Sequence, residues 1–421
     1  MPFFLYLLGL AVFAQGTSEF MLSGLLPDIA TDLHVSVSAA GSLTSAFALG
    51  MIVGAPLMAL LSLHWPRRRA LLTFLIAFLL VHVLGALTTS YGVLLATRVL
   101  AALANAGFLA VALATATAAV APNAKGRATS VLLGGTTMAC VVGVPAGALL
   151  GELWGWRSAF WAVALVSMPA VLAIVRSVPA ARHRDAVGDS SHRASVGGSA
   201  GSDGAAAGRG GPGARAELRA LRRPRLLVAL LLGALVNGAT FCTFTYLALL
   251  VTGVTGVGPG WVPAVLALFG LGSFVGVSVG GRLADTRPVP LLTAGGTVLC
   301  LGWSVLALTA GCPAVAVVLV LVQGALSFAV GSTLVSQALY AATGAPTLAG
   351  GFATAALNVG AALGPWLGGS VLAAGVGYRA PVWVSALLVA LALLIGGTAH
   401  GVSRRRADRA VGAEPAADSR R

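Results

Sequence analysis

Two charged side chains inside apolar stretches, Glu19 and Arg98, have surroundings that suit proton chemistry. Glu19, in TSEF, is the only acidic residue well inside such a stretch, and Arg98 lies within LLATRVLAALANAGF. Removal from water favours the neutral form of a carboxyl group, which suits a residue that binds and releases protons near neutral pH. An arginine at the centre of a membrane helix costs at least ~2.5–3.5 kcal/mol, so Arg98 must face protein or a wet cavity. We therefore expect Glu19 to carry a proton and the field of Arg98 to favour its release.

These positions also have purely structural interpretations. In that case Glu19 is a carboxylate hydrogen-bonded to Ser23, four residues on, and Arg98 is a tie between helices. Asp28, at the predicted outer mouth, is either a second proton site or a solvated helix end. His82, inside another apolar stretch, is predicted to be a hydrogen-bonded helix residue in preference to a proton relay.

The elements that must position these residues are membrane-spanning helices. Of the 421 residues, 58% are hydrophobic and 9% are charged, whereas an ordinary soluble domain carries about 25% charged residues. A helix needs ~20 apolar residues to cross a ~30 Å hydrocarbon core, so the chain has room for about twelve spans. We predict spans at residues 3–26, 38–62, 70–89, 92–120, 128–150, 158–178, 226–250, 261–284, 289–310, 313–340, 346–374 and 380–399.

The distribution of charge predicts two bundles of helices with both chain termini in the cytoplasm. Residues 180–225 contain GGSAGSDGAAAGRGGPGARAE, which cannot bury a core, and are predicted to be a flexible linker between bundles 1–179 and 226–400. The net charge of +14 lies in loops and in a basic tail, 401–421, and not on one basic face that would bind nucleic acid. A cytoplasmic position for this charge satisfies the positive-inside rule with six helices in each bundle.

The two bundles show a weak sequence repeat at one constant shift along the chain. The shift that superposes Gly54 on Gly276 also superposes Gln15 on Asn237. The predicted fold is an all-α membrane protein with two six-helix halves around a central cavity, where a transporter binds its substrate near the midplane. Polar residues in membrane spans mostly face the bundle interior, where they contact substrate or bridge helices. The candidate substrate-binding residues are therefore Gln15, Asn105, Asn237, Phe241, Tyr246 and Asn358.

Small residues and one proline mark the fifth predicted helix, GGTTMACVVGVPAGALLG. Small residues let neighbouring helices approach closely, and Pro145 permits a bend. Together with AQGTSEFMLSGLLPDIATDL, PRRRALLTF and GELWGWRSAFW, this segment resembles the twelve-helix drug:proton antiporters of the major facilitator superfamily, most closely the actinomycete chloramphenicol-resistance exporters. The resemblance covers nearly the whole chain except the linker and the tail. It implies that the antiporter signature of this chain is formed by Gly143, Pro145 and Gly147.

A second motif, GGRLAD after the eighth predicted helix, resembles the cytoplasmic gating motif of the same family. The resemblance assigns this role to Gly281, Arg282 and Asp285. At the position equivalent to Asp285 in the first half, the chain has Leu63. We therefore expect Asp285 to matter more for switching between conformations than the first-half loop does.

By resemblance, the chain is expected to export chloramphenicol or a close phenicol across the plasma membrane in exchange for protons, and so to confer antibiotic resistance. Arg98 matches an arginine that the family links to proton coupling, although Ala101 and Ala102 replace the Gln and Gly that follow it there. The residues alone predict a proton-linked carrier of something without a strong charge. The alternatives are a proton-coupled importer of a nutrient such as a sugar, and a membrane interaction protein that does not transport.

No cofactor, metal ion or enzymatic activity is predicted. The sequence contains neither a phosphate-binding glycine loop followed by Lys and Ser/Thr nor an HExxH metal site, so ATP hydrolysis is not expected. The expected partners are a small drug, protons and membrane lipid, and the protein is expected to be a monomer. The four cysteines have no metal-type spacing and are predicted to pack between helices: Cys140, Cys242, Cys300 and Cys312.

Overall fold

The computed structural model describes residues 3–62, 65–120, 125–177, 224–283, 286–341 and 346–411. This part of the chain is helical and contains no strand. Within it, 12 helical segments are long and apolar enough to cross a membrane, six before residue 178 and six after residue 223. The predicted fold class is therefore confirmed. Leu63, Asp285 and the predicted linker up to residue 223 lie outside the described residues.

The first six spans are built from helices that begin and end near the predicted limits. The first predicted span, 3–26, is divided by a turn at Met21, and the fifth contains a π-helical turn, Ala139–Gly143. Gly155, with φ of 78°, follows the fifth span in a conformation that glycine adopts without strain. The helices are α1 (Phe3–Phe20), α2 (Leu22–Asp32), α3 (Val37–Ser62), α4 (Arg67–Leu87), α5 (Tyr91–Ala118), α6 (Lys125–Met138), α7 (Val144–Trp154) and α8 (Arg157–Ser177).

The second six spans, like the first six, are built from helices that short turns separate or interrupt. Proline, whose fixed φ suits the first turn of a helix, begins several of them. A 3₁₀ turn, Pro259–Trp261, and a π-helical turn, Leu291–Gly295, precede two of the helices. The helices are α9 (Pro224–Thr245), α10 (Leu247–Gly253), α11 (Val262–Leu283), α12 (Gly296–Thr309), α13 (Pro313–Ala341), α14 (Pro346–Ala373) and α15 (Ala380–Val411).

The helix boundaries follow the repeat that the sequence suggested. The shift that superposes Gly54 on Gly276 also places Tyr91, where α5 begins, on Pro313, where α13 begins. The same shift places Leu87, the last residue of α4, on Thr309, the last residue of α12. A residue in one half can therefore be compared with its counterpart in the other.

Charged side chains distinguish the two ends of the bundle. The acidic end carries Asp28, Asp32 and Glu152, together with the arginines Arg157 and Arg379. Arg157 Nη1 lies 2.6 Å from Asp32 Oδ2, and this hydrogen bond from Arg157 is the main reason why the pKa of Asp32 is lowered. The opposite end, the basic end, carries exposed or half-exposed arginines at helix ends: Arg67, Arg68, Arg69, Arg176, Arg225, Arg282 and Arg287.

Helices α3 and α14 join the two halves toward the acidic end. Ser45 Oγ donates to the carbonyl oxygen of Ala362 at 2.7 Å. The hydroxyl of Tyr246, just after α9, donates to the carbonyl oxygen of Pro365 at 2.8 Å and lies against the Cα atom of Gly41 on α3. A Cβ atom at Gly41 would overlap the Tyr246 hydroxyl oxygen. Glycine is therefore required for this close approach.

We expect Gly41→Ala to open the acidic end, because its methyl group cannot coexist with the Tyr246 hydroxyl. Spin labels at exposed Trp154 and Val376, on opposite halves of a cysteine-free protein, should move apart in this variant. Gly92→Ala is the matched control, because its Cβ atom would meet only Ser90 Oγ, at 3.9 Å. Identical distance distributions in Gly41→Ala and wild type would contradict this assignment of Gly41.

Candidate functional site

The first membrane span is interrupted by a turn at Met21, shortly after its polar residues Ser18 and Glu19. The Met21 N–H donates to the Thr17 carbonyl at 2.8 Å, whereas the Gly24 N–H donates to the Met21 carbonyl at 3.2 Å in a tighter i to i+3 bond. This change of hydrogen-bonding pattern comes two residues after Glu19. The membrane helix is therefore irregular where its single acidic residue lies.

A chain of hydrogen bonds connects α5 to α4 through Ser18 of α1. Arg98 Nη1 donates to Ser18 Oγ at 2.9 Å, and Arg98 Nη2 donates to the Ser18 carbonyl at 2.8 Å. Ser18 Oγ lies 2.6 Å from His82 Nε2, and His82 Nδ1 lies 2.7 Å from the Phe78 carbonyl. These groups, Arg98, Ser18, His82 and the Phe78 carbonyl, form what we call the Arg98 network.

The donor and the acceptor of each hydrogen bond in the Arg98 network follow from the chemistry of its groups. The Phe78 carbonyl can only accept, so His82 Nδ1 must carry a proton and donate it. In a neutral imidazole, Nε2 is then an acceptor and receives the Ser18 hydroxyl proton. Ser18 Oγ in turn accepts from the cationic Arg98. The neutral form of His82 suits a site that already holds one buried positive charge.

Arg98 is enclosed by protein, with 1% of its surface exposed. Its guanidinium carbon lies 4.6 Å from the centre of the Phe47 ring on α3, an arrangement in which the ring face attracts the cation. Among the described residues, no carboxylate forms an ion pair with it, and its Nε–H group has no hydrogen-bond partner. Arg98 therefore faces protein, as expected, with its Nε–H group unpaired among the described residues.

Glu19 lies next to this network at the boundary between the halves. It is half-buried and lies within electrostatic range of Arg98. Within the described part of the chain it makes no hydrogen bond, and the alternative bond to a helix neighbour such as Ser23 is not formed. The adjacent Phe20 packs against Phe241 of the second half, with ring centres 5.7 Å apart. Glu19 is thus free to exchange a proton or to pair with Arg98.

The charged pair has no counterpart at the equivalent positions of the second half. Under the shift that relates the two halves, Phe241 of α9 corresponds to Glu19 and Val320 of α13 corresponds to Arg98. The equivalent of Gln15 remains polar, as Asn237. At these two positions, charge chemistry is therefore confined to the first half.

A seam of small residues packs α1 and α2 against α6 and α7. A Cβ atom at Gly143 would overlap Thr17 Oγ1, and one at Gly147 would lie 3.3 Å from Met21 Cβ. Gly143 and Gly147 therefore contact the first helix on either side of Ser18 and Glu19. The glycines of the antiporter-like motif set the distance between the fifth span and the segment that carries the acidic residue.

Pro145 explains the π-helical turn in the fifth span. Because proline has no N–H, the carbonyl oxygens that it would serve in a helix lose a donor. The Val144 N–H donates to the Ala139 carbonyl, five residues back, and not to Cys140. The Cys140 carbonyl therefore loses its usual donor, Val144, and Pro145, five residues on, has no N–H to replace it. This carbonyl lies against the Cα atom of Gly270 on α11. Pro145 thus exposes a polar backbone group to the other half.

The predicted substrate-binding residues occupy different environments. Gln15 is 1% exposed, and within the described structure neither its amide nitrogen nor its amide oxygen has a partner. Phe241 lies in a small cluster between the halves with Ala48, Ala361 and Ala362. The others tie helices or bond within one: Asn105 Nδ2 donates to Met51 Sδ at 3.6 Å, Asn237 Nδ2 to the Leu357 carbonyl at 2.7 Å, Tyr246 to the Pro365 carbonyl, and Asn358 Nδ2 to the Thr354 carbonyl at 3.0 Å.

Two cavities lie between the halves. One, of about 690 Å³, is a groove open to the surface between α1 and α6 on one side and α11 on the other, and Phe13, Met138 and Phe274 are among its mainly apolar lining residues. The other, of about 610 Å³, lies at the acidic end and includes Asp28 and Glu152. There, partial removal from water, and then the charge of Glu152, raise the pKa of Asp28.

The gating motif lies at the basic end. Gly281 and Arg282, in the last turn of α11, are both exposed, and a Cβ atom at Gly281 would meet nothing within 4 Å. Asp285 and Leu63 lie outside the described residues, so the predicted difference between the two loops stays a prediction. In the described ranges, no group of three or more His, Cys, Asp or Glu side chains could hold a metal ion.

Ser18 has no role in the prediction from sequence, which treats His82 as a separate residue. His82 is hydrogen-bonded, as predicted, but its partner belongs to another helix and also binds Arg98. The available signal was that both are polar residues inside apolar spans, one of them next to Glu19. Their proximity depends on the packing of α1 against α4 and α5, which spacing along the chain does not reveal.

Comparisons with known proteins agree with this architecture. Residues 8–350 match the family model described as Major Facilitator Superfamily. The chain is 55% identical over 395 residues to the chloramphenicol resistance protein of Streptomyces lividans, covering 94% of this chain and 95% of that protein. It is 31% identical over 376 residues to a chloramphenicol efflux pump of Mycobacterium tuberculosis, covering 87% and 84%.

A solved structure has the same fold. The crystal structure of a bacterial homologue of the human lysosomal transporter Spinster, in an inward-facing and occupied conformation, matches with a TM-score of 0.72 at 17% identity. The match covers 93% of this chain and 95% of that one. The family model spans most of the sequence, and the relatives align over nearly their full length. The chain therefore belongs to the Major Facilitator Superfamily.

Proposed function

We propose that the protein exports chloramphenicol or a related small amphipathic drug across the plasma membrane in exchange for protons. The observation that carries this proposal is Glu19, a half-buried carboxyl group that makes no hydrogen bond to the described residues, beside the buried cation Arg98 at the boundary between the halves. The 55% identity to a chloramphenicol resistance protein supports the choice of drug. Export of the drug would confer resistance on the cell.

Glu19 is the proposed proton carrier, and Arg98 the residue that favours proton release. When the cavity opens to the outside, Glu19 takes up a proton in a poorly hydrated site. When it opens to the cytoplasm, a wetter site and the positive field of Arg98 stabilise the carboxylate, and the proton leaves. Asp28, in the cavity at the acidic end, is the proposed second proton site.

The proposed orientation places the basic end and both termini in the cytoplasm, because positively charged loops remain on that side. The contacts of Ser45 and Tyr246 then close the outer side. The groove between α1, α6 and α11 lies toward the basic end, whereas these contacts join the halves toward the acidic end. This arrangement supports assignment of the structure to an inward-facing state of alternating access.

The substrate is proposed to bind between the halves, near Gln15 and Phe241. The unpartnered amide of Gln15 offers its NH₂ group as donor and its carbonyl oxygen as acceptor to a neutral drug, and Phe241 offers an aromatic face. Asn105, Asn237, Tyr246 and Asn358 would need to break their present hydrogen bonds in order to take part. Gly143, Pro145, Gly147, Gly281, Arg282 and Asp285 are proposed to serve conformational change.

A neutral drug makes one-for-one exchange electrogenic. Moving one charge through 100 mV is worth ~2.3 kcal/mol, so the membrane potential would drive export in addition to the pH gradient. The second candidate function, proton-coupled import of a small nutrient such as a sugar, is less well supported because two of the relatives are named for chloramphenicol resistance or efflux.

Uptake of labelled chloramphenicol into everted membrane vesicles tests the proposal. Energised vesicles that contain the protein should concentrate the drug, and an uncoupler should abolish the accumulation. A nutrient importer or a protein that does not transport would leave drug uptake equal to that of control vesicles. Equal uptake, with no effect of the uncoupler, would therefore refute drug export.

A further inference from the structure

We propose that Ser18 and His82 are positioning residues that hold the Arg98 guanidinium with its free Nε–H group available to Glu19. This inference rests on the proposed coupling role of Glu19 and extends it to a neighbouring residue on α1 and a residue on α4. Two of the three guanidinium nitrogens are occupied by Ser18, at 2.9 and 2.8 Å. The third, Nε, is buried and has no partner among the described residues.

Ser18 donates its hydroxyl proton to His82 and accepts hydrogen bonds from Arg98 through its hydroxyl and carbonyl oxygen atoms. A serine hydroxyl has one proton, and His82 Nε2 at 2.6 Å receives it. With that proton directed away, both the Oγ lone pairs and the backbone carbonyl of Ser18 remain turned toward Arg98. His82 is itself fixed by the Phe78 carbonyl at 2.7 Å and by ring packing against Phe160, with ring centres 5.8 Å apart.

Ser18 and Glu19 compete for Arg98. The two residues are adjacent in sequence. Ser18 accepts a hydrogen bond from Arg98, and Glu19 lies within electrostatic range of Arg98. Ser18 is bonded to both terminal guanidinium nitrogens, so Glu19 cannot take the end-on fork that they form without displacing Ser18. A carboxylate paired with both ends of an arginine would hold its negative charge much more firmly. The Ser18 and His82 bonds therefore keep Glu19 able to take up a proton.

Few other groups could produce the same pH dependence. The helices packed around the site contribute aromatic side chains, including Phe47 on α3, Phe160 on α8 and Phe241 on α9. Within the described residues, the titratable or charged groups that face this site are Glu19, His82, Arg98 and Cys140, the last from the π-helical turn near Glu19.

The test is the pH dependence of proton release driven by chloramphenicol in proteoliposomes that contain the full-length protein. Ser18→Ala removes the acceptor of Arg98 Nη1, and His82→Leu removes the group that turns the Ser18 hydroxyl proton away from Arg98, so each should loosen the guanidinium and let it move toward Glu19. The pH at half-maximal release should fall by about one unit, since an adjacent opposite charge shifts proton binding by about 1–3 units. His82→Gln, whose amide oxygen can replace the Nε2 acceptor, should stay closer to wild type than His82→Leu.

Ser167→Ala is the matched control, because Ser167 is equally buried but donates to Val163 of its own helix. Unchanged pH profiles in folded Ser18→Ala and His82→Leu would overturn the inference. Should Ser18→Ala fail to fold, the comparison of His82→Leu with His82→Gln decides in the same way. Glu19→Gln separates the two proposals: if it still couples drug to protons, the proposed proton carrier is wrong, whatever the other profiles show.

Discussion

Replacement of Glu19 by glutamine is expected to abolish uphill transport while leaving drug binding largely intact. Glutamine has the shape of the protonated carboxyl group but cannot release a proton, so the transporter would lose its coupled ion. Glu19 makes no hydrogen bond to the described part of the chain that the substitution would break, so the protein should fold. Labelled chloramphenicol should bind to Glu19→Gln in detergent, whereas accumulation in energised everted vesicles should fall to the level of vesicles without the protein.

Two further variants serve as comparisons in this experiment. Glu19→Asp keeps a carboxyl group and should retain part of the accumulation. Ser167→Ala changes a buried serine that bonds within its own helix and should accumulate drug as wild type does. If Glu19→Gln concentrates drug at the wild-type rate and with the same pH dependence, the proton site lies elsewhere, and Asp28 is the next residue to test.

The second large effect is expected from Gly143→Ala. The added methyl group would overlap Thr17 Oγ1, so α1 must move away from the fifth span and carry Ser18 and Glu19 with it. Overpacking of a buried contact typically costs about 1–3 kcal/mol. We expect the variant to be less stable to heat and to lose most of its drug transport.

Gly134→Ala is the control, because a Cβ atom there would meet nothing within 4 Å. Thr17→Ala removes the hydroxyl that the new methyl group would strike, so the double variant Gly143→Ala/Thr17→Ala should recover part of the transport. Wild-type activity in Gly143→Ala alone would show that this contact does not set the position of Glu19. A double variant no better than Gly143→Ala would place the defect outside the Thr17 contact.

The sequence predicted the spans well because hydrophobic length is a property of the chain itself. It did not predict the break at Met21, since no glycine or proline marks that residue, and Pro27 lies six residues further on. Pro145 predicts an irregularity near Ala139–Gly143, because it removes one backbone N–H donor. Whether the helix responds with a bend or with a π-helical turn depends on the helices packed around it. Helix type along a span is thus less predictable than its existence.

The candidate site was predictable only in part. Glu19 and Arg98 stand out because a charge in a membrane helix is costly and needs a reason. The roles of Ser18 and His82 depend on contacts between three helices, and no spacing along one helix indicates them. From the sequence alone, Asn237 and Tyr246 cannot be told apart from residues that bind substrate. In the structure they donate hydrogen bonds to backbone carbonyls of α14. Polarity predicts an inward-facing side chain but not its partner.

The central claim, that drug movement and proton movement are coupled through Glu19, is tested most directly by proton flux in proteoliposomes. The liposomes hold a pH indicator, start without a pH gradient, and receive chloramphenicol on one side only, with potassium and valinomycin present to dissipate any membrane potential. We predict that drug entry through the wild-type protein drives protons in the opposite direction and that Glu19→Gln produces no such proton flux. Chloramphenicol entry through the wild-type protein without any movement of protons would contradict the account.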